Sequence, residues 1–405
     1  MTDSKIIQEA VEQINTYLDC VKNELISDLK SFIAISSVTY DEGNAIGYLR
    51  DRMIAFGFDE VKVDPVGNLL GRVGHGKTVF LYDAHIDTVG TGDLSEWAHP
   101  PFEPQVTDGV ISGRGAVDDK GCLMGITYAG RAIKALGLYS DFTLWVSASI
   151  SEEDVEGSAV EAMMKEAPDL KPDFILVAEA SEGKIIRGHK GRALIQITIP
   201  GKSAHASAAW RGDNALVKAL PIVERIDKYD SFPEDSFLGK GTIEVTNLVC
   251  ESPSLNTIPG KVTLICDRRI SCGESVEDLL NEASMFAADI PGSAAAINTE
   301  HVTTYTGYQI DCLDYFPSWV VAEDAPLIQA GVEAYKKLFR HEPEVTKWDF
   351  CTNATHLCGR MGIPTIGFGP GDESLCHTSQ DSISIKELLD AVKFYTLLPV
   401  MLTHR

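Results

Sequence analysis

The sequence predicts an α/β protein with a mostly parallel sheet that is flanked by helices, and with an inserted α+β domain. Up to about residue 190, short apolar runs alternate with segments of helical period, which is typical of parallel strands joined by helices. Residues 191–314 change to strands with apolar–polar alternation, and α/β character then returns. We therefore expect one domain from residues 1–190 and 315–405, and a second from residues 191–314.

A long amphipathic helix is predicted at residues 5–34, where apolar side chains recur at spacings of three and four and would dock on a core. These positions are Ile7, Val11, Ile14, Leu18, Val21, Leu25, Leu29 and Phe32. The strands expected after it are 61–63, 69–73, 78–84, 142–150 and 174–178, and the helices are 44–56, 121–136 and 156–166.

The inserted segment is expected to follow the order β-α-β-β-α-β of a ferredoxin-like fold. Its strands are predicted at 193–199, 242–249, 261–270 and 295–303, and its helices at 214–229 and 275–288. After the insert we expect a helix at 324–339, a strand at 363–368 and a closing helix at 385–401.

Composition narrows the class of protein. A net charge of −24 over 405 residues argues against nucleic acid and anionic membranes as partners. The hydrophobic fraction of 44% is ordinary for a globular protein, and no apolar run approaches the ~20 residues of a membrane span. Nine cysteines without a CxxC pair, together with a polar N-terminal segment, favour reduced thiols and a cytoplasmic location.

Three of the predicted strands run into side chains that bind metals. The first ends at His85, with Asp87 two residues later; the second leads into Glu152 and Glu153; the third leads into Glu179. Ligands of open α/β sheets bind in the crevice at the carboxyl ends of the strands. Several imidazole and carboxylate groups at such ends therefore predict one polar site.

Two further residues complete a candidate dinuclear metal site. Asp118 lies in the Gly-rich segment GRGAVDDKG, where the backbone can approach closely, and His377 follows a Gly-Pro-Gly turn. Together with His85, Glu153 and Glu179, these side chains suit two divalent ions, most simply zinc, with cobalt or manganese as alternatives. Paired ions need a bridging carboxylate, for which Asp118 is the candidate. Magnesium and calcium are disfavoured because hard ions rarely recruit two histidines.

The neighbouring acids suggest a mechanism. Glu152 can act as general base on a water whose pKa the metals lower, while Glu153 binds metal. Asp87 can hold the second imidazole nitrogen of His85. This set predicts hydrolysis of a peptide or amide bond.

The motifs DAHIDT, GRGAVDD, SEED, AE at 178–179, GKSAHAS and the GPG…H pattern resemble, in this order, those of a known family of dinuclear zinc hydrolases. That family includes aminoacylase, acetylornithine deacetylase, succinyl-diaminopimelate desuccinylase and carboxypeptidase G. The resemblance implies a zinc-peptidase-like fold, an inserted lid and dimerisation domain, and a cis peptide after Asp118. It also implies one ion on His85, Asp118 and Glu179, and the other on Asp118, Glu153 and His377.

The resemblance assigns roles within and near the insert as well. His205 resembles a lid histidine that stabilises the oxyanion, often across a dimer, and Asn256 resembles a substrate-binding asparagine. Arg269 resembles the arginine that grips a substrate carboxylate, although a structural salt bridge is a rival interpretation. Gly369 and Gly371 could offer N–H groups to the same carboxylate.

Further segments, including RGHKGR, DRRI, YFPSW and KWDFCTNAT, are similar to a subgroup of these hydrolases that is linked to selenium metabolism, which does not define a substrate. Two positions depart from the family pattern: Cys376 before His377, and Ser379-Gln380-Asp381 after it. Both leave the ligand itself intact.

The predicted function is hydrolysis of an N-acyl amino acid or a short peptide with a free carboxylate, by a homodimer. An N-carbamoyl amidohydrolase and an aminopeptidase of a related zinc class are the enzymatic alternatives. A binding protein that has lost catalysis is the non-enzymatic one.

Overall fold

The computed structural model describes residues 3–139 and 141–404. Its α-helices in chain order are α1 (Asp3–Ile33), α2 (Gly43–Ala55), α3 (Lys120–Leu136), α4 (Glu152–Val155), α5 (Ser158–Glu166), α6 (Ala215–Asp227), α7 (Val276–Phe286), α8 (Pro326–Phe339) and α9 (Ile385–Thr403). A π-helical turn covers Thr355–Arg360.

The strands up to the inserted segment are β1 (Glu60–Val63), β2 (Leu69–Gly74), β3 (Thr78–His85), β4 (Gln105–Thr107), β5 (Val110–Ser112), β6 (Phe142–Ser149), β7 (Phe174–Val177) and β8 (Ile185–His189). Those that follow are β9 (Gly191–Pro200), β10 (Glu234–Asp235), β11 (Gly239–Lys240), β12 (Thr242–Glu251), β13 (Lys261–Ile270), β14 (Ala294–Ile297), β15 (Thr299–Thr303), β16 (Gln309–Leu313), β17 (Tyr315–Phe316), β18 (Trp319–Val320), β19 (Val345–Trp348), β20 (Thr365–Gly367) and β21 (Ser382–Ser384).

The central sheet has the strand order β1-β2-β6-β3-β7-β20-β8-β18, with β19 beside β8. Its middle strands β6, β3, β7 and β20 are parallel, and antiparallel strands extend it on either side. Because β6, β3 and β7 are neighbours that run in the same direction, their carboxyl ends lie at one edge. This confirms the predicted α/β class and brings the three predicted strand ends together.

Helices cover this sheet. The predicted stripe of α1 is buried, with Ile14, Leu25 and Leu29 inaccessible to solvent, and it packs against α3 and α9. Each such side chain contributes about 1.5–3 kcal/mol by leaving water. The core joins residues before the inserted segment to residues after it, since α9 packs on both α1 and α3.

Residues 191–297 form a separate antiparallel sheet of order β12-β13-β9-β14, with α6 and α7 packed against it. Side chains of β9 and β13 alternate between buried and half-buried, as a sheet covered on one face requires. Ile195, Ile197 and Leu264 belong to a second hydrophobic core, distinct from that of the central sheet. The strand order is that of the ferredoxin-like arrangement.

One predicted strand is wrong: residues 295–303 form two strands, β14 in the second sheet and β15 in a hairpin with β16. Asn298 redirects the chain between them. Its N–H donates to the Leu194 carbonyl at 2.8 Å, its carbonyl accepts from Asp314 N–H at 3.0 Å, and its side chain contacts the Asp314 carboxylate at 2.6 Å. Asn298 thus keeps one bond to β9, while its carbonyl and side chain bind Asp314, after the end of β16.

The helix predicted at 156–166 begins at Ser158 instead, because Gly157 adopts a left-handed φ of 71°. Strand β8 was not predicted, since only its first two residues are apolar. Within the described residues, no helix combines the length and apolar character needed to cross a membrane.

His189, fully buried in β8, makes the stability of the fold depend on pH. Its Nδ1 lies 2.8 Å from the Lys190 carbonyl and its Nε2 lies 3.2 Å from the Thr352 hydroxyl. Burial lowers the pKa of His189 from 6.5 to about 4, and the charge of Arg269 acts in the same direction. Between these values the unfolded chain binds a proton that the folded chain does not, so stability is lost as the pH falls through this window.

When the pH is lowered from 7 to 5, we therefore expect the free energy of unfolding to fall by about 2 kcal/mol more in the parent protein than in His189→Gln. Urea unfolding at both pH values measures this difference. The exposed His341, replaced by Gln, serves as the control and should leave the pH dependence unchanged. An identical loss of stability in His189→Gln and the parent protein would contradict the assignment.

Candidate metal centre

The carboxyl ends of three parallel strands converge on one cluster. His85 is the last residue of β3, and it lies opposite Ser149, the last residue of β6. Glu152 and Glu153 follow three and four residues later in α4, and Glu179 follows β7. Sheet topology therefore brings together side chains that are almost a hundred residues apart in the chain.

Asp118 is central to the cluster. One of its oxygens, Oδ1, lies 2.8 Å from His85 Nε2, and the other, Oδ2, lies 3.2 Å from His377 Nε2. Each imidazole also meets a carboxylate of its own: Glu179 at 3.5 Å from His85, and Glu153 at 2.9 Å from His377. Asp118 thus divides the cluster into two halves and faces both.

The loop before α3 positions Asp118. Gly115 has φ +86°, and a Cβ there would lie 2.8 Å from the Thr88 methyl group. The Asp381 carboxylate accepts N–H groups from Gly115 at 2.6 Å and Val117 at 2.9 Å, and it pairs with Arg114 at 3.0 Å. The peptide between Asp118 and the next residue is cis. Asp381 therefore anchors this loop from a site far away in sequence.

Asp87 lies beside the second imidazole nitrogen of His85, as expected, and it also binds main-chain groups. His85 Nδ1 lies 2.9 Å from the main-chain carbonyl of Asp87, whereas the Asp87 carboxylate is 3.5 Å away. That carboxylate also accepts the main-chain N–H groups of Glu152 at 3.1 Å and Glu153 at 3.2 Å, and the Thr39 hydroxyl at 2.9 Å. It acts mainly on the main chain of the two glutamates.

The cluster is electrostatically crowded. Burial raises the pKa of Glu152 well above its ordinary value, and the charge of Glu179 adds to the shift. Burial also opposes protonation of His85, but the carboxylates of Glu179 and Asp118 outweigh it and raise the pKa of His85. The contacts with Asp118 and Glu153 raise the pKa of His377 to about 10. Because the cluster contains more carboxylates than imidazoles, the binding of cations there is electrostatically favourable.

Imidazole nitrogens and carboxylate oxygens are donors that zinc, cobalt and manganese accept. Two groups have ligand atoms within 4.8 Å of one another: His85 with Asp119 and Glu179, and His85 with Asp118 and Glu153. Asp119 was not predicted as a member. Its Oδ2 accepts the His85 N–H at 3.1 Å, and its buried Oδ1 has no hydrogen-bond partner among the described residues. The Asp-Asp doublet was the only sequence signal for it.

A cavity of about 320 Å³ opens over the cluster. Its walls are His85, Asp118, Glu152, Glu153, Glu156, Glu179, Arg192, Arg269, Phe350, Cys351, Glu373, Cys376 and His377. Arg269 also pairs with Asp267, at 2.8 Å through Nε and 3.3 Å through Nη2. The two interpretations of Arg269 are therefore compatible, because the paired guanidinium still faces the cavity.

No role was predicted from the sequence for several other residues near this site. Glu156 and Arg192 form an ion pair of 2.9 Å in the cavity wall. Asn353 donates to Asp83 and to Ser149, each at 2.8 Å, and accepts the Gly157 N–H at 2.8 Å. It ties the ends of β3 and β6 to the segment after α4.

His205 and Asn256 lie together but away from the cavity wall. His205 Nε2 is 3.2 Å from Asn256 Nδ2, and both side chains are exposed. His205 Nδ1 accepts the Ser207 N–H at 3.1 Å. The structure thus pairs these two residues with each other and not with the carboxylate cluster of the same chain.

The expected role of the two glycines needs correction. Gly369 donates its N–H to Ser181 Oγ at 2.9 Å, and Gly371 donates its N–H to Glu387 Oε2 at 2.9 Å. Both donors are therefore engaged within the protein. Gly369 serves close packing instead, since a Cβ there would lie 2.1 Å from the Glu179 carbonyl oxygen.

Comparison with known proteins agrees with this architecture. The uncharacterized protein YgeY of Escherichia coli (strain K12) is 36% identical over 376 residues, which cover 92% of this chain and 93% of YgeY. Aminopeptidase PepT from Bacillus cereus superposes with a TM-score of 0.73 at 20% identity, covering 94% of this chain and 98% of PepT. The di-peptidase Dug1p from Saccharomyces cerevisiae superposes with a TM-score of 0.72 at 15% identity over the whole of both chains.

At these identities the two superpositions show a shared fold. The model of peptidase family M20/M25/M40 matches residues 81–399, well over half of the sequence, and this span contains the whole carboxylate–imidazole cluster. The chain therefore belongs to peptidase family M20/M25/M40.

Proposed function

We propose that this peptidase-family hydrolase cleaves the amide bond of an N-acyl amino acid or of a short peptide with a free carboxylate. The observation that carries the proposal is Asp118, whose two oxygens face His85 and His377 at 2.8 and 3.2 Å. Such a carboxylate is what a paired-metal hydrolase needs between its ions. A cytoplasmic location stays a prediction.

Two divalent ions fit the donors of this site. His85, Asp118 and Glu179 would hold one, and Asp118, Glu153 and His377 would hold the other. Zinc is our proposal for both, because mixed imidazole and carboxylate ligands suit it. Bound there, such ions supply Lewis acidity, which lowers the pKa of water and polarises a substrate carbonyl.

Glu152 is the proposed proton carrier. Its carboxyl group lies in the cavity wall, beside the proposed metal ligands, and is 7% exposed. A carboxylate oxygen of Glu152 would take a proton from the attacking water and deliver it to the nitrogen of the leaving amine. Burial, which raises the pKa of Glu152, favours holding that proton between the two transfers.

Arg269 is the proposed anchor for the substrate carboxylate. A guanidinium has five N–H donors in a planar fork, so pairing with Asp267 through Nε and Nη2 leaves donors for a second carboxylate. Its position in the cavity wall supports a substrate with a carboxylate near the scissile bond.

We also propose that residues 191–314 form a lid and dimerisation domain. Trp210 is 79% exposed and Leu255 is fully exposed, and both flank the pair of His205 and Asn256 in sequence. Strand β12 is an edge of its sheet among the described residues. An apolar surface next to an open edge fits a second copy of this chain, whose cavity His205 would then complete.

Replacing Glu152 by Gln tests the mechanism. The variant should keep about two metal ions per chain by elemental analysis, and its kcat should fall by about 10²–10⁴-fold because the proton carrier is lost. Glu161→Gln, on α5 outside the cavity, is the control and should keep full activity. Full activity of Glu152→Gln would remove this residue from the role, and a metal-free, chelator-insensitive active enzyme would overturn the proposal itself.

Replacing Arg269 by Lys tests the substrate class. Lysine keeps the charge but loses the fork, so kcat/KM for carboxylate substrates should fall by about 10-fold or more. The assay uses N-acetyl, N-succinyl, N-carbamoyl and dipeptide substrates, each beside its C-terminal amide. Arg225→Lys, on the outer surface of α6, is the matched control. An equal effect on acids and amides would contradict carboxylate recognition.

Mixing two inactive variants tests whether sites are shared. His205→Ala and Glu152→Gln chains, combined in equal amounts and allowed to exchange subunits, should recover about a quarter of the activity if His205 acts in the neighbouring site, since half the dimers would then hold one intact site. Sedimentation measures dimer formation in parallel. Mixed dimers without recovered activity would place His205 in its own chain's site.

A further inference from the structure

The segment between α1 and α2 lies against the turn that carries Glu152. Glu42, at the start of α2, is completely buried. Its Oε1 accepts the N–H of Tyr40 at 3.0 Å and the N–H of Ser151 at 3.2 Å. The Ser151 hydroxyl lies 3.4 Å from the same oxygen. A buried carboxyl group from residue 42 therefore holds the residue that precedes Glu152.

A second buried carboxylate continues this arrangement. Asp87 accepts the next two N–H groups, those of Glu152 and Glu153, and its Oδ2 also accepts the Thr39 hydroxyl at 2.9 Å. Three successive main-chain N–H groups, from Ser151 to Glu153, are thus each bound by a buried carboxyl group. Residue 42 supplies one of these acceptors, and residue 39 supports the other.

This turn needs such support. Helix α4 is only four residues long, and the side chain of Ser151 makes no capping bond to it. So short a helix is unstable by itself. Ser151 and Tyr40 both adopt left-handed conformations, with φ of 57° and 73°, which non-glycine residues keep only when their surroundings impose them. Gly157 ends the segment with another left-handed residue.

We propose that Glu42 and Thr39 are positioning residues, which aim the Glu152 side chain by fixing the main chain of residues 151–153. The inference rests on the proposed function in one respect, that Glu152 carries the proton. Neither residue lines the cavity, so each acts through Ser151 or Asp87.

Burial of the Glu42 carboxyl group is energetically unfavourable, which argues against a purely structural role. Its Oε2 has no hydrogen-bond partner among the residues that the structure describes. Burial, with the charge of Asp87 adding to it, raises the pKa of Glu42 to about 7. A buried acid with an unpaired oxygen destabilises the fold. Its two N–H contacts are the compensating gain, and one of them sits directly before Glu152.

Two substitutions separate the hydrogen-bond acceptor from the bulk of the side chain. Glu42→Met keeps the length but removes the acceptor, whereas Glu42→Gln keeps a carbonyl oxygen for both N–H groups. We expect Glu42→Met to lower kcat by about 10- to 100-fold, with KM and metal content nearly unchanged. Glu42→Gln should retain most of the activity. Thr39→Val, which is nearly isosteric, should cause a smaller fall in kcat. It tests the same proposal if Glu42→Met does not fold.

Amide hydrogen exchange of the metal-loaded protein gives a readout that needs no substrate. Exchange at residues 151–153 should be faster in Glu42→Met and Thr39→Val than in the parent protein. Asp235→Leu is the control, since the Asp235 carboxylate accepts the main-chain N–H groups of Phe237 and Leu238, each at 2.8 Å, in a turn that does not line the cavity. It should lower the melting temperature without changing kcat or exchange at 151–153.

Three outcomes would overturn the inference: unchanged exchange at residues 151–153, unchanged kcat in both Glu42→Met and Thr39→Val, or equal losses in Glu42→Met and Glu42→Gln. These outcomes differ from failure of the proposed function. A fully active Glu152→Gln removes the proton carrier but leaves the exchange result, which reports the anchoring of the turn itself.

Discussion

The confinement of several buried carboxylates beside two imidazoles is the constraint on which the rest of this structure depends. Charged groups in such a place are unfavourable unless each has a partner of opposite charge or a hydrogen-bond donor. Asp118 meets part of this requirement, because one of its oxygens contacts His85 and the other contacts His377. Burial raises the pKa values of Glu152 and Glu179 well above their ordinary range, which indicates that the surrounding side chains compensate the carboxylate charges only in part.

Buried carboxylates of the surrounding structure hold the cluster in place by accepting main-chain N–H groups of the segments that carry it. Asp381 accepts two N–H groups of the loop before Asp118. Asp87 and Glu42 do the same for the turn that carries Glu152. These buried acids contact the backbone rather than a substrate, and their common function is to determine where the side chains of the cluster point. Precision of that kind is what catalytic geometry requires.

The two sheets contribute differently to the cavity. The parallel strands supply the cluster, because neighbouring parallel strands deliver their carboxyl ends to one edge. The antiparallel sheet supplies Arg192 and Arg269, which are paired in register on β9 and β13 and reach the cavity wall. His205 and Asn256 lie in the connecting segments that follow β9 and β12, and both are exposed. Under the proposed function, hydrolytic chemistry and substrate selection would therefore come from separate parts of the chain.

Much of this could be predicted from sequence. Periodicity located α1, the strands β2, β3 and β6, and the β-α-β-β-α-β order of the insert, because period and apolar content report which face of an element is buried. Residue type identified the polar cluster, since few other arrangements explain imidazole and carboxylate groups at several strand ends. Local pattern failed at β8 and at Asn298, where long-range partners, not the residues themselves, decide the pairing.

Only the tertiary structure decided which polar groups meet. Sequence spacing placed Asp87 beside the His85 imidazole, but only the structure showed that its carboxylate also binds main-chain N–H groups. The N–H groups of Gly369 and Gly371 were expected to bind a substrate carboxylate, but they donate to Ser181 and Glu387. No role was predicted from the sequence for Glu42, Asn353 or Asp381. The sequence by itself determined the chemical repertoire of the site, because that depends on residue type. Hydrogen-bond partnership depends on distance and direction between segments far apart in the chain, and only folding sets these.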